Sequence, residues 1–210
     1  MMRVLIVDDH EIVRRGLKEV LNDEFPDLKA GEAATSAEAL ELVANQEWDV
    51  VLLDINIPGR SGLEVLEEVK RLRPRTPVLV LSAYPEEEFA IRSFKLGASG
   101  YVHKSLGSNQ VLAAVKKVLA GGKYVTAPLA EKLATALGSE IQQSPHESLS
   151  SRELQILRLV ARGRAIKEIA AELALSEKTV GTYRTRISKK MGLASNVELT
   201  RYALQHRLVD

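Results

Sequence analysis

Short uninterrupted apolar runs alternate along the first half of the chain with longer stretches in which apolar residues recur every three or four positions. Val4-Leu5-Ile6-Val7, Val50-Val51-Leu52-Leu53 and Val78-Leu79-Val80-Leu81 are too short for helices, rich in β-branched residues and bounded by turn formers. They read as strands buried on both faces. The pattern predicts strands over 3–7, 50–53, 77–81 and 99–103, with a weaker one over 28–34. A helix follows each of them. The first carries Ile12, Val13, Leu17, Val20 and Leu21 on one face. The second spans 37–45 with Ser36 as its cap, and the third spans 63–72 behind a Ser61/Glu64 capping box. The fourth spans 86–96, with Pro85 at its first position and three glutamates in its first turn, and the fifth spans 109–119, stopped by Gly121-Gly122. Fivefold strand/helix alternation predicts an α/β, doubly wound, five-stranded parallel sheet covered on both faces.

Beyond residue 122 the alternation stops. Residues 129–137 have the pattern of a short helix, but 138–146 have the composition of a tether, so 123–148 is expected to link two domains, 1–122 and 149–210. In the second, periodicity is helical throughout. Ser150 and Glu153 form a capping box ahead of Leu154, Leu157, Leu159 and Val160, and Gly163 ends that helix. Helices are then expected over 166–173 and 177–191, separated by the turn Ala174-Leu175-Ser176, and a fourth behind the Ser195/Glu198 capping box. A short helix, a three-residue turn and a longer basic helix make a helix-turn-helix, so the second domain is expected to be an all-α four-helix module. In its third helix Val180, Tyr183, Ile187 and Met191 fall on one stripe and should pack inward, leaving Lys178, Thr182, Thr185, Arg186 and Lys189 outside.

Charge sharpens this division. The net charge is only +1, but residues 1–147 hold 17 Lys+Arg against 22 Asp+Glu, and residues 148–210 hold 12 against 6. An acidic module is joined to a basic one, which points the second towards a polyanion. The chain has no cysteine, which excludes disulfide scaffolds and thiolate metal sites. The apolar start, residues 1–7, is too short for a signal-peptide core, and no run reaches membrane-spanning length. A cytoplasmic protein is expected. The four histidines, His10, His103, His146 and His206, show no metal-ligand spacing, and Trp48 reads as core or rim packing.

In an open parallel sheet ligands bind beyond the carboxyl ends of the strands, so the polar residues there are the candidate chemistry. Asp8 and Asp9 follow the first strand, Asp54 the third, Ser82 the fourth and Lys104 the fifth. Carboxylates this close repel one another and call for a cation. Mg²⁺ suits them, because it takes one or two carboxylates, keeps several waters and accepts phosphate oxygens. The constellation, over roughly residues 1–122, resembles the receiver domain of two-component response regulators. The resemblance implies that Asp54 is the phosphoacceptor, that Asp9, Asp54 and the Asn56 carbonyl ligate Mg²⁺ (or Mn²⁺), and that Asp8 helps through water. It also implies that Ser82 and Tyr101 form a switch pair and that Lys104 contacts the phosphoryl group. Tyr84, at the mouth of the crevice, is expected to shield the acyl phosphate from water. Ser105 stands where many receivers have proline, which is read as a mark of the NarL/FixJ class.

The stretch 149–209 resembles the LuxR-type DNA-binding domain in Leu-Ser-x-Arg-Glu at 149–153, Lys-Glu-Ile-Ala at 167–170 and Leu-Ser-Glu-Lys-Thr-Val at 175–180. The resemblance implies DNA contacts from Lys178, Thr179, Gly181, Thr182, Thr185, Arg186, Lys189 and Lys190. Ile166 replaces the usual Asn, and Gly181 replaces a Lys that reaches the groove in most members, so base readout falls to Thr182 and Thr185. The reading is a phosphorylation-dependent DNA-binding transcriptional regulator. Its partners would be a sensor histidine kinase, duplex DNA and, once phosphorylated, a second copy of the chain. An aspartyl-nucleophile phosphatase or phosphotransferase, and a receiver with a protein-binding output, remain as alternatives.

Overall fold

The computed structural model describes residues 1–83, 86–131, 145–206 and 208–209, without the side chains of residues 86–88, 147 and 151. Tyr84, the expected helical residues 132–137 and most of the expected tether lie outside the described residues. Two compact units divide the chain, Met1–Ser139 and Glu140–Asp210.

In the first unit the strands are β1 (Met2–Val7), β2 (Leu28–Ala33), β3 (Val50–Asp54), β4 (Val78–Ser82) and β5 (Gly100–His103), and the helices are α1 (Glu11–Glu24), α2 (Ser36–Asn45), α3 (Gly62–Leu72), α4 (Glu86–Lys95) and α5 (Ser108–Leu119). The sheet order is β2-β1-β3-β4-β5, with every pairing parallel. β1 passes to β2 on one side and β3 on the other, which opens a crevice at the carboxyl ends where the winding reverses. All residues of β3 and β4 are buried, as the unbroken apolar runs require. Val4, Ile6, Leu52, Leu79, Leu81 and Val102 meet Leu21 of α1 and Val111, Ala114, Val115 and Val118 of α5 in one core. Each fully buried aliphatic side chain there contributes roughly 1.5–3 kcal/mol.

The structure departs from several of these expectations. Ile12, expected on the inner face of α1, is 86% exposed, and Leu21 is the residue of that set that is buried. Ser36 is not a cap. Thr35 caps α2 by accepting from Glu38 N, while Ser36 Oγ accepts from Arg60 N at 2.8 Å and Ser36 N donates to the Pro58 carbonyl. Ser36 thereby clamps the turn that follows β3. Lys123 and Tyr124, expected to begin the linker, are tied to the sheet instead. Lys123 Nζ donates to the Ala98 carbonyl, Tyr124 N donates to the Ser99 carbonyl, and a bridge joins Gly100 to Tyr124. Residues 127–131 are helical, with Leu129 buried.

The second unit begins with a 3-10 turn, Pro145–Ser148, and continues with α6 (Ser151–Ala161), α7 (Ile166–Glu172), α8 (Glu177–Met191) and α9 (Asn196–Gln205). Complete capping boxes start α6 and α9. The α7–α8 turn is tight enough to force Ala174 to φ 50, an uncommon left-handed conformation for a residue other than glycine. Leu175 N donates to the Ala170 carbonyl, closing the turn. Leu154, Leu157, Ile169, Val180, Ile187, Leu199 and Ala203 form the interior. His146 Nδ1 lies 2.9 Å from Tyr202 Oη, so part of the expected tether is docked on α9. Among the described residues no helix is long and apolar enough to cross a membrane.

Candidate functional site

Parallel pairing sets the positions at the carboxyl edge. Val7 is level with Leu53, Asp54 with Leu81 and Ser82 with His103, so Asp8, Asp54, Ser82 and Lys104 arrive at one rim from four strands. Lys104 Nζ donates to Asp8 Oδ2 at 2.6 Å and to Asp54 Oδ2 at 2.8 Å. The side chains of Asp8 and Asp54 are almost wholly buried. Burial pushes the Asp54 carboxyl up from its ordinary 3.8 to about 6, with the Lys104 ammonium pulling the other way. For Lys104, burial works against the charge, but the two carboxylates outweigh it and hold the ammonium above its ordinary value. Asp54 Oδ1 also accepts from Asn56 N at 3.2 Å, which fixes the loop whose carbonyl at 56 was expected to be a ligand. Gly62 allows α3 to start against this loop, because a Cβ there would lie 2.2 Å from the Asp54 carbonyl oxygen.

Asp9 is partly exposed, and its Oδ1 lies 2.8 Å from His10 Nδ1. Ligand atoms of Asp8, Asp9, His10 and Asp54 all lie within 4.8 Å of one another. Three carboxylates against one ammonium leave excess negative charge, and hard oxygen donors dominate the set, so the site fits a hard divalent cation. His10 is absent from the expected set, and only its position beside Asp8-Asp9 pointed to it. Ser82 and Tyr101 are fully buried.

His103 was also assigned no role. Its Nδ1 lies 3.2 Å from the donating Ser105 N–H and 2.6 Å from Ser105 Oγ, and its Nε2 lies 3.0 Å from the Ala83 carbonyl. An acceptor at Nδ1 places the proton on Nε2, which donates to Ala83. The ring thus straps the end of β5 to the residue after Ser82. A proline at 105 would lack the N–H that orients it.

In the second unit the outward stripe of α8 stands as expected for Lys178, Thr182, Thr185, Arg186 and Lys189, all exposed. Ser176 caps the helix, accepting from Thr179 N and lying 2.7 Å from Thr179 Oγ1, so the Thr179 hydroxyl serves the cap. Lys190 departs from the expected set. Its Nζ contacts Glu153 Oε2 at 2.6 Å and reaches the Ser148 carbonyl at 3.4 Å, which ties α8 to α6 while the side chain stays partly exposed. Tyr183 is only partly buried, and the Arg186 guanidinium lies 5.9 Å from its ring centroid. Arg184, not expected to face out, is exposed.

Residues 4–116 match the family model of the response regulator receiver domain, and residues 147–203 match that of the luxR family of bacterial regulatory proteins. The response regulator GacA of Pseudomonas aeruginosa is 37% identical over 211 residues, covering 100% of this chain and 99% of its own. The chain is a response regulator of the NarL/FixJ class. The response regulator UvrY of Escherichia coli K12 is 35% identical over 100% of this chain and 97% of its own. Among solved structures, RcsB from Salmonella enterica serovar Typhimurium, bound to promoter DNA in the presence of the phosphomimetic BeF3−, superposes with a TM-score of 0.62 at 26% identity, over 96% of this response regulator and 97% of that chain. The regulator therefore joins a receiver to a LuxR-type DNA-binding domain.

Proposed function

We propose that Asp54 accepts a phosphoryl group from a sensor histidine kinase and that the second unit delivers the signal by binding duplex DNA. The observation that carries this reading is the pairing of two buried carboxylates, Asp8 and Asp54, with the single ammonium of Lys104 at the carboxyl edge of the sheet. An Asp54 oxygen attacks the phosphorus of a phosphohistidine, the P–O bond forms as the P–N bond breaks, and the imidazole leaves with the electron pair. Although burial raises the Asp54 pKa to about 6, the group is mostly ionised, and therefore nucleophilic, at neutral pH. Asp9, Asp54 and the Asn56 carbonyl would hold Mg²⁺ or Mn²⁺ with Asp8 acting through water, and the bound ion would neutralise charge on the phosphoryl oxygens. Lys104 Nζ then moves from its carboxylates to a phosphoryl oxygen, and the Ser82 hydroxyl donates to another.

Moving Ser82 and Lys104 towards a phosphoryl group perturbs the ends of β4 and β5, where Tyr101 is buried, and this biases the receiver between two states. Residues 1–122 act as receiver and 149–210 as output. The phosphorylated form is a homodimer whose two α8 helices enter successive major grooves. A cytoplasmic location follows from a chromosomal target and a kinase domain facing it. Incubation with a small acyl phosphate and Mg²⁺ should label the wild type and not Asp54→Asn. Equal labelling of the variant would move the acceptor elsewhere.

A further inference from the structure

The two threonines at the centre of the α8 stripe do not present free hydroxyl donors. Thr182 Oγ1 donates to the Lys178 carbonyl at 3.0 Å and Thr185 Oγ1 to the Gly181 carbonyl at 3.1 Å. A helical threonine whose oxygen is turned back onto the preceding turn leaves its γ-methyl as the side-chain group not engaged by the backbone. Both residues are exposed. Beside them Gly181 leaves a notch, with nothing within 4 Å of the place a Cβ would occupy. At 3.6 residues per turn, Lys178, Thr182, Thr185 and Lys189 fall within about 60° of arc, opposite the buried Val180, Ile187 and Met191. The middle of the face is therefore two methyl groups next to a hollow, with cations along the stripe on either side. Arg186, the one guanidinium of the outward stripe, lies about 40° to the side of Thr182 with its group 5.9 Å from the Tyr183 ring centroid, and no carboxamide or carboxylate stands between the two threonines to form a bidentate pair with a base edge.

Of the four bases only thymine offers a methyl group in the major groove, and an aliphatic contact to it distinguishes thymine from cytosine. We infer that this response regulator reads its operator through thymine 5-methyl groups, packed against the γ-methyls of Thr182 and Thr185, with the Gly181 notch giving a base room to approach. Lys178, Arg186 and Lys189 hold the flanking phosphates and carry no base information. The inference rests on the DNA-binding reading of the second unit and specifies its target chemistry. The competing possibility is that the threonine oxygens act as acceptors for adenine or cytosine amino groups.

The test uses the full chain, phosphorylated with a small acyl phosphate. Duplexes are selected from a random pool, and each thymine of the selected half-site is then replaced by uracil, which removes only the methyl group. Uracil should weaken binding about fourfold at one or two positions per half-site, as expected for one methyl withdrawn from an apolar contact. Thr182→Ser and Thr185→Ser keep the hydroxyls and lose the methyls, so they should each abolish the thymine/uracil difference at one position. Thr182→Val and Thr185→Val should keep it. Selected duplexes that tolerate uracil everywhere, or valine variants that lose discrimination, would overturn the inference and leave DNA binding intact. A chain that retains no duplex at low salt would overturn the DNA reading itself.

Discussion

Asp54 shows how one buried residue ties stability to chemistry. Its carboxyl titrates near 6 in the fold against an ordinary 3.8, so between about pH 4 and pH 6 the folded chain binds a proton that the unfolded chain has released. Stability therefore falls as pH rises through that window. Asp54→Asn, which has no charge to bury, should gain on the order of 2 kcal/mol over the wild type at pH 7.5 in metal-free buffer, with the gain vanishing near pH 4. Denaturant titrations of both proteins at the two pH values check this, and an equal gain at both would disprove the burial argument. The position of Asp54 was legible in the sequence, because four apolar residues ending in a carboxylate can hardly be anything but a buried strand with a polar end. The parts played by His10 and His103 were not. Each makes contacts through a ring that spacing cannot aim, and the four histidines stand at no metal-ligand spacing from one another along the sequence.

At the scale of elements, the sequence was most legible where chemistry is local. The Ser61, Ser150 and Ser195 capping boxes all formed, since both halves of the motif lie within one turn. It misled where a tertiary contact competes with a local one. Ser36 was read as a cap but holds the Pro58–Arg60 turn, and Lys190 was read as a phosphate contact but pairs with Glu153. Glu153 lies on a different helix, and periodicity within α8 carries no trace of it. The two neighbouring lysines should therefore separate in experiment. Lys189→Ala should lower the slope of log affinity against log salt by about 0.9 per protomer, the contribution of one phosphate contact each, without altering stability. Lys190→Ala should destabilise the second unit by about 1 kcal/mol, modest because its ammonium stands partly in water, and should leave the salt slope unchanged. Matching slopes for the two variants would contradict the assignment.

For the whole molecule, an acidic receiver and a basic helical domain share one chain, and each relative quoted above spans nearly all of it. Their division was legible from the change in periodicity near residue 122 and from the charge asymmetry. The exact point where the receiver ends was less so, because Lys123 and Tyr124 are held by backbone groups on β5 and just before it, contacts that leave no apolar pattern. On this reading the Asp54 acyl phosphate and DNA binding are energetically coupled, and coupling of this kind is typically worth 5–150-fold in affinity. The most direct measurement is the affinity of the full chain for its selected two-half-site duplex, with and without a small acyl phosphate and Mg²⁺, in the wild type and Asp54→Asn. Binding should tighten on phosphorylation of the wild type, in a way that depends on half-site spacing, and should not respond in the variant. Equal affinities with and without the phosphodonor in the wild type, measured while Asp54 is shown to be labelled, would contradict the coupling.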